Sequence, residues 1–490
     1  MTAAGRAGDP VTRDPFPWRF VTPLLLGSAL NPVNSSVIAT ALVPIAAALH
    51  VPVGRTAVLV SGLYLATSIA QPTAGKLSEE FGPRRVFLAG IVTVLAGGLL
   101  GGFAQNLTEL VVARVLIGVG TSAGYPSAML LVRRRSDQAG LDTPPGSVLG
   151  ALVIAGIVTA AIGLPIGGVL VQAWGWRATF FVNVPVTLIT LAMALAWIPR
   201  DQRGGTRRTA REMAARIDVA GIAGFGGMIA ALLVFLLSLP HPDWAALAVA
   251  VVAGAALGIW ELRAGRPFFD VRLLAANRAL TRTYLRFAVT MLCIYIVFYG
   301  LTQWMEADRG LSSIAVGLIL LPMSVLSGLI ARPVSQRNLL RAPLILGAVC
   351  CLAGSAGTLL LTGDTPVAWI VAVTLVFGVT SGAGASANQT ALYVQVPAAD
   401  IGTASGLLRS FGYMGSIASS AIIAIVFRTH VSDHGLHVIA IIMIAVSALA
   451  LLLTLADRQL MGLPSSRRHP PARSAPAPDP DPESAQGRKN

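Results

Sequence analysis

The stretch PRDQRGGTRRTAREMAAR, residues 199–216, separates two long series of apolar segments. It holds six arginines in eighteen residues, although charged residues make up only 12% of the 490-residue chain. Arginines at this density stay in water unless they are paired, because the burial of an unpaired charge is strongly unfavourable. The stretch therefore predicts a polar loop that divides the chain into two apolar halves.

The composition on either side of this loop excludes a soluble protein. Hydrophobic residues make up 54% of the sequence, and the mean hydropathy is +0.72. A soluble chain carries about 25% charged residues, which it needs to cover its surface with polar groups. The sequence therefore excludes a soluble enzyme, a secreted domain and a disordered chain. The three cysteines lie within or beside apolar runs and predict neither disulfides nor a zinc site.

The apolar segments number fourteen when a span is defined as about 20 mostly apolar residues, the length that crosses a bilayer as a helix. Proline and glycine are frequent inside them, which membrane helices tolerate when they pack on neighbours. The predicted spans are Phe20–Leu49, Ala57–Gly75, Val86–Ala104, Leu110–Val132, Val148–Ala173, Thr179–Ile198, Val219–Leu239, Trp244–Leu262, Phe287–Met305, Ile314–Ala331, Leu344–Thr362, Val367–Tyr393, Ala404–Phe427 and Val438–Leu455.

The arginines predict the orientation of these spans, because short loops rich in Lys and Arg remain cytoplasmic. One set of alternating loops holds nearly all of them, whereas the opposite set holds only Arg55, Arg177, Arg309 and Arg428. Both termini are therefore predicted to be cytoplasmic, in a multi-pass protein of the inner or plasma membrane. The net charge of +14 is spread over these loops rather than gathered on one face, so no nucleic-acid partner is expected, while basic segments beside the spans can touch anionic membrane lipids.

The predicted fold is an all-α membrane protein made of two six-helix bundles and two extra central helices. Two six-span halves that repeat one another are typical of alternating-access transporters, whose substrate site lies between the halves near the membrane midplane. The predicted divisions are a cytoplasmic N-terminal segment (1–19), an N-terminal bundle (20–198), a basic linker (199–217), two inserted helices (218–262), a basic loop (263–286), a C-terminal bundle (287–457) and a disordered tail (458–490).

Seven short motifs occur in order along the chain. The motifs are GKLSEEFGPRR (75–85), RVLIGVG (114–120), GLPIGG (163–168), GWRATFFVNVP (175–185), PFFDVRLL (267–274), GLILLP (317–322) and SGLLR (405–409). They resemble the motifs of the major facilitator superfamily, and in particular of its fourteen-helix drug:proton antiporters. The resemblance implies a monomeric exporter of small hydrophobic or amphipathic, antibiotic-like compounds, which works by alternating access and takes protons as its coupling ion.

The resemblance also implies which residues drive the conformational change. Glu79 is in the acid position of the first motif, where it can pair with Arg84 or Arg85 or approach a helix N-terminus, and the resemblance implies a latch that breaks and reforms as the halves move. The alternative is a basic cytoplasmic loop without a latch. A charge inside a span costs about 2.5–3.5 kcal/mol on insertion scales, so Arg114 and Arg409 are expected to face a cavity. The alternative for Arg114 is that it snorkels towards the interface near Glu109. The final members of this set are Gly163, Pro165, Gly167 and Gly168, which allow close helix packing and a bend.

Proton coupling requires a group that gains and loses a proton near neutral pH. The acid expected in the first span is replaced by Asn34, and no Asp, Glu or His lies near the centre of any span. Arginine cannot release a proton near neutral pH, so Glu306, at the outer end of the ninth span, is the first candidate for the coupling group. The alternatives are an uncoupled facilitator or importer, and a membrane sensor that does not transport.

The candidate substrate contacts are the polar side chains inside the spans, although each could instead form an interhelical hydrogen bond. These candidates are Asn31, Asn34, Tyr64, Gln71, Tyr125, Tyr299, Gln303, Asn388 and Gln389. The sequence has no phosphate-binding glycine loop, and His430, His434 and His437 are interpreted as a solvated loop. Neither an enzyme activity, nor a cofactor, nor a metal is expected.

Overall fold

The computed structural model describes residues 15–141, 145–201, 218–238, 241–265, 272, 277–337, 339–396, 401–455 and 457. These residues form helices and connecting turns, with no strand among them. Residues 1–14 of the predicted N-terminal segment, the linker from residue 202, most of the PFFDVRLL motif and the C-terminal tail lie outside the described residues.

Fourteen helices correspond one to one with the fourteen predicted spans. They are α1 Trp18–Leu49, α2 Val53–Phe81, α3 Pro83–Phe103, α4 Leu107–Gln138, α5 Gly146–Trp174, α6 Ala178–Trp197, α7 Val219–Ser238, α8 Trp244–Arg263, α9 Arg278–Ala307, α10 Ser313–Gln336, α11 Arg341–Leu359, α12 Val367–Gln395, α13 Ile401–Val426 and α14 Asp433–Leu455. Thirteen of them are long and apolar enough to cross a membrane within the described residues, and α5 contains a shorter apolar stretch, Val158–Trp174.

Several helices are irregular at points where the backbone changes its hydrogen-bond pattern. A 3₁₀ turn at Ile38–Ala41 interrupts α1, and a π turn at Ile296–Leu301 interrupts α9. Such turns are common at functional positions and change the direction in which the following side chains point. In α9 the π turn places Tyr299 in the buried interior of the molecule.

The two halves repeat the same packing. In the N-terminal half α1 packs on α5, and α4 packs on both α2 and α3. In the C-terminal half the equivalent helices do the same, with α9 on α13 and α12 on both α10 and α11. The halves meet along two seams, α2 against α13 and α5 against α10. The two seams are equivalent, because α2 of the first half corresponds to α10 of the second, and α5 corresponds to α13. The centre of the molecule is therefore enclosed by helices from both halves.

The inserted pair lies beside one of these seams. Helix α7 packs on α2 and α13, and α8 packs on α7. Phe225, Ile229 and Leu233 of α7 join the central apolar core, whereas Val251 and Val252 of α8 are more than 60% exposed. The exposed apolar face of α8 is the surface that a bilayer would cover, so the pair extends the α2–α13 seam towards lipid.

One carboxylate anchors each half at the end that carries most of the arginines. Asp201 follows α6 and accepts hydrogen bonds from the backbone N–H groups of Arg84 (3.3 Å) and Arg85 (2.9 Å) at the start of α3. Asp457 follows α14 and forms ion pairs with Arg286 (3.1 Å) and Arg282 (3.4 Å) of α9. Each carboxylate thus ties the last helix of its half to another helix of the same half.

The Asp201 contact corrects the expectation for Glu79. Glu79 is exposed, and the carboxylate that holds the loop between α2 and α3 belongs to Asp201, which also lies 3.5 Å from Arg134. Gly82 adopts a positive φ of 97°, and a Cβ at this position would lie 2.4 Å from the Asp201 side chain. Glycine is therefore required here both for the backbone conformation and for the close approach of the carboxylate. The sequence pattern missed Asp201 because it lies 116 residues from Arg85.

Candidate functional site

The two halves are in direct contact at the outer end, which we define as the end that carries Arg55, Arg177, Arg309 and Arg428. The Gly54 N–H donates to the Phe427 carbonyl over 3.1 Å, which joins α2 to α13. The Ser313 hydroxyl at the start of α10 donates to the Thr40 carbonyl of α1, also over 3.1 Å. These bonds cross between the halves at both seams, so the structure is a conformation in which the outer end is closed.

Below this closure four tyrosine rings form a cluster between the halves. Tyr64 of α2 contacts Tyr295 of α9 edge to face at 4.9 Å and stacks on Tyr413 of α13 at 5.7 Å. Tyr295 stacks on Tyr299 at 5.7 Å. The Tyr64 and Tyr299 hydroxyls lie 3.1 Å apart, and the Tyr299 hydroxyl donates to the Ser35 carbonyl over 2.7 Å. We call these four residues the tyrosine cluster; it joins α2 and α1 of one half to α9 and α13 of the other.

Sequence reasoning missed two members of this cluster, Tyr295 and Tyr413. The signal was present, because Tyr295 and Tyr299 are four residues apart on α9, and Arg409 and Tyr413 are four apart on α13. Residues at this spacing lie on the same face of a helix. The spacing shows that each pair shares a face, but only the packing shows that both faces point at Tyr64.

Arg114 is buried deep in the N-terminal half and does not snorkel. Its side chain is 1% exposed, and it donates from Nε to the Leu59 carbonyl (3.2 Å) and from Nη1 to the Asn34 carbonyl (3.1 Å). Its Nη2 atom has no hydrogen-bond partner among the described residues. Glu109 is engaged elsewhere, because its carboxylate accepts from the Gln105 N–H and the Asn106 side chain. Arg114 is therefore a buried guanidinium whose hydrogen bonds go to neutral carbonyls.

Arg409 lies nearer the inner end and reaches across to the N-terminal half. Its guanidinium sits 4.5 Å from the centre of the Tyr125 ring of α4, a cation–π distance, and it also interacts with the Tyr413 hydroxyl. That hydroxyl donates to the Gln71 side chain over 2.6 Å, which joins α13 to α2. Arg409 itself is exposed, in contrast to Arg114. Gln71, Tyr125, Tyr64 and Tyr299 are thus the sequence candidates that the structure brings to the interface between the halves.

The other candidate contacts lie within a single half. The Asn31 side chain donates to the Thr121 hydroxyl over 3.0 Å. Asn388 is 1% exposed and donates to the Gly384 carbonyl of its own helix, which leaves its Oδ1 without a partner among the described residues. Gln303 is fully buried, and neither atom of its amide has a partner there. Gln389 is half-buried.

Asn34, in the position of the expected acid, is used for packing inside the N-terminal half. Its side-chain amide donates to the Asn183 Oδ1 of α6 over 2.7 Å and to the Leu30 carbonyl over 2.9 Å. Asn183 in turn donates to the Phe180 carbonyl. An aspartate could not donate these bonds when ionised, so the pair of amides replaces a titrating group with an interhelical link.

Glu306 lies at the outer contact between the halves. It belongs to the last turn of α9, which packs on α1, and only 8% of its surface is exposed. Its carboxylate approaches the Ser313 hydroxyl but makes no hydrogen bond of normal geometry among the described residues. A carboxylate in such a place is poorly solvated when charged. It is also the one carboxylate that the structure describes inside the contact between α1 and α9.

The glycines of α5 lie where backbones approach each other most closely. A Cβ at Gly167 would lie 2.6 Å from the Val37 carbonyl oxygen of α1, and one at Gly168 would lie 2.3 Å from the Ser313 carbonyl oxygen of α10. A Cβ at Gly163 would likewise collide with the Ser36 side chain of α1. On the other side of α5, a Cβ at Gly317 of α10 would lie 2.9 Å from the Cα atom of Pro165. The motif therefore lines both the α1–α5 contact and the seam between the halves.

The histidines expected in a solvated loop are divided by the start of α14: His430 precedes it, whereas His434 and His437 lie in its first turns, in a separate outer cluster with Asp433. Asp433 accepts hydrogen bonds from the Trp304 indole (2.9 Å) and the Gly363 N–H (2.8 Å), and the His437 ring contacts the Leu361 carbonyl. Burial and the nearby negative charge of Asp433 raise the pKa of Asp308. No group of three or more potential metal ligands occurs among the residues that the structure describes.

Two six-helix halves that repeat one another and enclose polar and aromatic side chains define a membrane transport protein. A profile of the Major Facilitator Superfamily matches residues 24–420. The chain belongs to this superfamily, whose members are transporters and not enzymes.

Similar proteins agree with this assignment. The chain is 32% identical over 450 residues to the uncharacterized MFS-type transporter YwoD of Bacillus subtilis (strain 168). The alignment covers 90% of this chain and 97% of YwoD. It is 28% identical over 434 residues to the tetracenomycin C resistance and export protein of Streptomyces glaucescens, with 85% and 77% covered. Among solved structures, a mutant of the nucleoside transporter NupG superposes with a TM-score of 0.62 at 11% identity, with 89% and 99% covered.

Proposed function

We propose that this protein exports small hydrophobic or amphipathic compounds by alternating access and that inward movement of protons drives the export. The observation that carries the proposal is the tyrosine cluster, a set of aromatic and hydroxyl groups at the contact between two repeated halves. Relatives whose names include antibiotic resistance and export support the direction of transport. The arginine-poor loops at the outer end support cytoplasmic termini and a location in the plasma membrane.

Export is tested in cells that express the protein and are loaded with a panel of hydrophobic antibiotics and dyes. We expect lower accumulation of at least one compound than in cells without the protein, and recovery of accumulation when a protonophore is added. Efflux that continues unchanged with the protonophore would contradict proton coupling. A panel in which no compound is moved in either direction would contradict transport and favour the sensor.

Glu306 is the proposed coupling group, because it is buried at a contact that must open when the outer end opens. We expect Glu306→Gln to abolish proton movement with substrate in liposomes, while exchange of labelled for unlabelled substrate continues. The reason is that glutamine can hold the neutral form of the contact but cannot release a proton. The matched control is Glu109→Gln, at the outer end of α4, which should leave proton movement intact. Loss of coupling in the control but not in the Glu306 variant would reject this assignment.

A second candidate function is an uncoupled facilitator or importer. The observation that favours it is the Asn34–Asn183 amide pair, which occupies the place of the expected acid and cannot titrate. Counterflow in liposomes without a pH gradient discriminates the two. If the unmodified protein is a facilitator, substrate equilibrates across the liposome membrane and no proton movement is measured. If it is the proposed antiporter, protons move whenever net transport of substrate occurs.

A further inference from the structure

Away from the helix ends, the described charges inside the membrane helices have one sign where the two halves meet. In the part of the chain that the structure describes, the carboxylates within helices all lie within a few residues of a helix end, as Glu79, Glu109 and Glu306 do. Arg114 and Arg409 lie further in, about 10 and 12 Å from the outer end of α4 and the inner end of α13 at ~1.5 Å per residue. The middle of the interface therefore carries positive charge and no described negative charge.

These two arginines differ from the buried arginine of the C-terminal half. Arg286 is 3% exposed and is neutralised by Asp457 at 3.1 Å. Arg114 binds only carbonyl oxygens, and Arg409 binds the Tyr125 ring and the Tyr413 hydroxyl, without a carboxylate partner among the described residues. A desolvated cation without a counter-charge is costly to maintain, and an incoming anion would relieve that cost.

The tyrosine cluster connects the two arginines. Tyr413 interacts with Arg409 at one side of the cluster. At the other side, Tyr299 and Arg114 donate hydrogen bonds to the adjacent backbone carbonyls of Ser35 and Asn34. Tyr295 and Tyr413 are only half-buried, so their ring faces and hydroxyls remain partly accessible. Flat aromatic molecules stack on such rings, and tyrosine hydroxyls and guanidinium groups both donate hydrogen bonds to anionic oxygens.

We propose that the surface formed by Arg409, the tyrosine cluster and Arg114 binds planar aromatic compounds that carry a negative charge, such as phenolates and aromatic carboxylates. This inference rests on the proposed function and names its substrate class. Arg409, which is exposed, receives the anionic group first. Arg114, whose Nη2 has no hydrogen-bond partner among the described residues, receives it when the contact between the Tyr64 and Tyr299 hydroxyls separates.

Aromatic cations are the alternative substrates, because tyrosine rings also attract positive charge. Two observations disfavour them. The Tyr125 ring is already occupied by the Arg409 guanidinium, and a bound cation would be repelled by both arginines with no described carboxylate to offset the repulsion. The sign of the charge on a bound aromatic molecule therefore tests the proposal directly.

The test compares fluorescein, an anion near neutral pH, with rhodamine 123, a cation built on the same three-ring xanthene system. Binding to the purified full-length protein in detergent is measured by fluorescence anisotropy. We expect fluorescein to bind at least about tenfold more tightly than rhodamine 123, since one charge-assisted hydrogen bond is worth about 1.5–3 kcal/mol. Arg409→Gln should weaken fluorescein binding about tenfold, and Arg409→Lys should weaken it less, because it keeps the charge.

The variant Arg341→Gln removes an exposed arginine at the inner end of α11 and is the matched control, with fluorescein affinity unchanged. Arg114→Gln is informative only if it elutes as a monodisperse protein, so the conclusion depends on Arg409. The proposal is overturned if rhodamine 123 binds as tightly as fluorescein, if neither dye binds, or if Arg409→Gln leaves fluorescein affinity unchanged. Fluorescein binding without export from cells would instead overturn the proposed function and leave the charge preference standing.

Discussion

At the scale of single residues, removal of the Asp201 side chain should lower the stability of the folded protein. It caps the N-terminus of α3 through two backbone N–H groups and lies beside Arg134. Loss of a helix cap costs about 0.5–2 kcal/mol. We therefore expect Asp201→Ala to lower the melting temperature in detergent, and Asp201→Asn to lower it less, because asparagine keeps one acceptor oxygen. Equal melting temperatures for Asp201→Ala and the unmodified protein would show that the cap contributes nothing.

At the scale of elements, the seam between α5 and α10 depends on small residues. Gly168→Ala would place a methyl group 2.3 Å from the Ser313 carbonyl oxygen, so the two helices must separate. Overpacking of this kind costs about 1–3 kcal/mol. We expect a lower melting temperature and a reduced export rate. Gly227→Ala in α7 is the control, because nothing lies within 4 Å of its added Cβ. A tolerated Gly168→Ala would mean that the seam is looser than described.

Helix boundaries show how far the sequence predicts the elements themselves. The sequence predicts a helix for each of the fourteen spans, because a run of about 20 apolar residues is long enough to cross a bilayer. Thirteen of the described helices meet that criterion. The ninth span was predicted to begin at Phe287, but α9 begins at Arg278. The extra turns contain Arg282 and Arg286, two charged residues that end an apolar span in a hydropathy count. In the structure both form ion pairs with Asp457, which follows α14. An ion pair between residues so distant in sequence is invisible to any local count.

At the scale of the whole molecule, export requires that the outer closure open in every cycle. The Ser313 hydroxyl donates to the Thr40 backbone carbonyl across it, so we expect cysteines at both positions to cross-link under mild oxidation. We expect the cross-linked protein to lose export almost completely, and a reductant to restore it. The single variants Thr40→Cys and Ser313→Cys, treated with the same oxidant, should retain export. Full export by the cross-linked protein would show that the closure is not a moving part.

The sequence by itself determined the helical membrane fold, the two repeated halves and the superfamily. Each of these follows from local composition or from motifs a few residues long. Apolar segments in lipid must form helices to pair their backbone polar groups, and arginine-rich loops must stay outside the bilayer. Tertiary structure alone decided which polar groups meet. Asn34 bonds Asn183, Asp201 rather than Glu79 holds the loop before α3, and Tyr295 and Tyr413 join Tyr64 and Tyr299. Helix periodicity fixes which residues share a face, but the partner of that face depends on how the two halves pack.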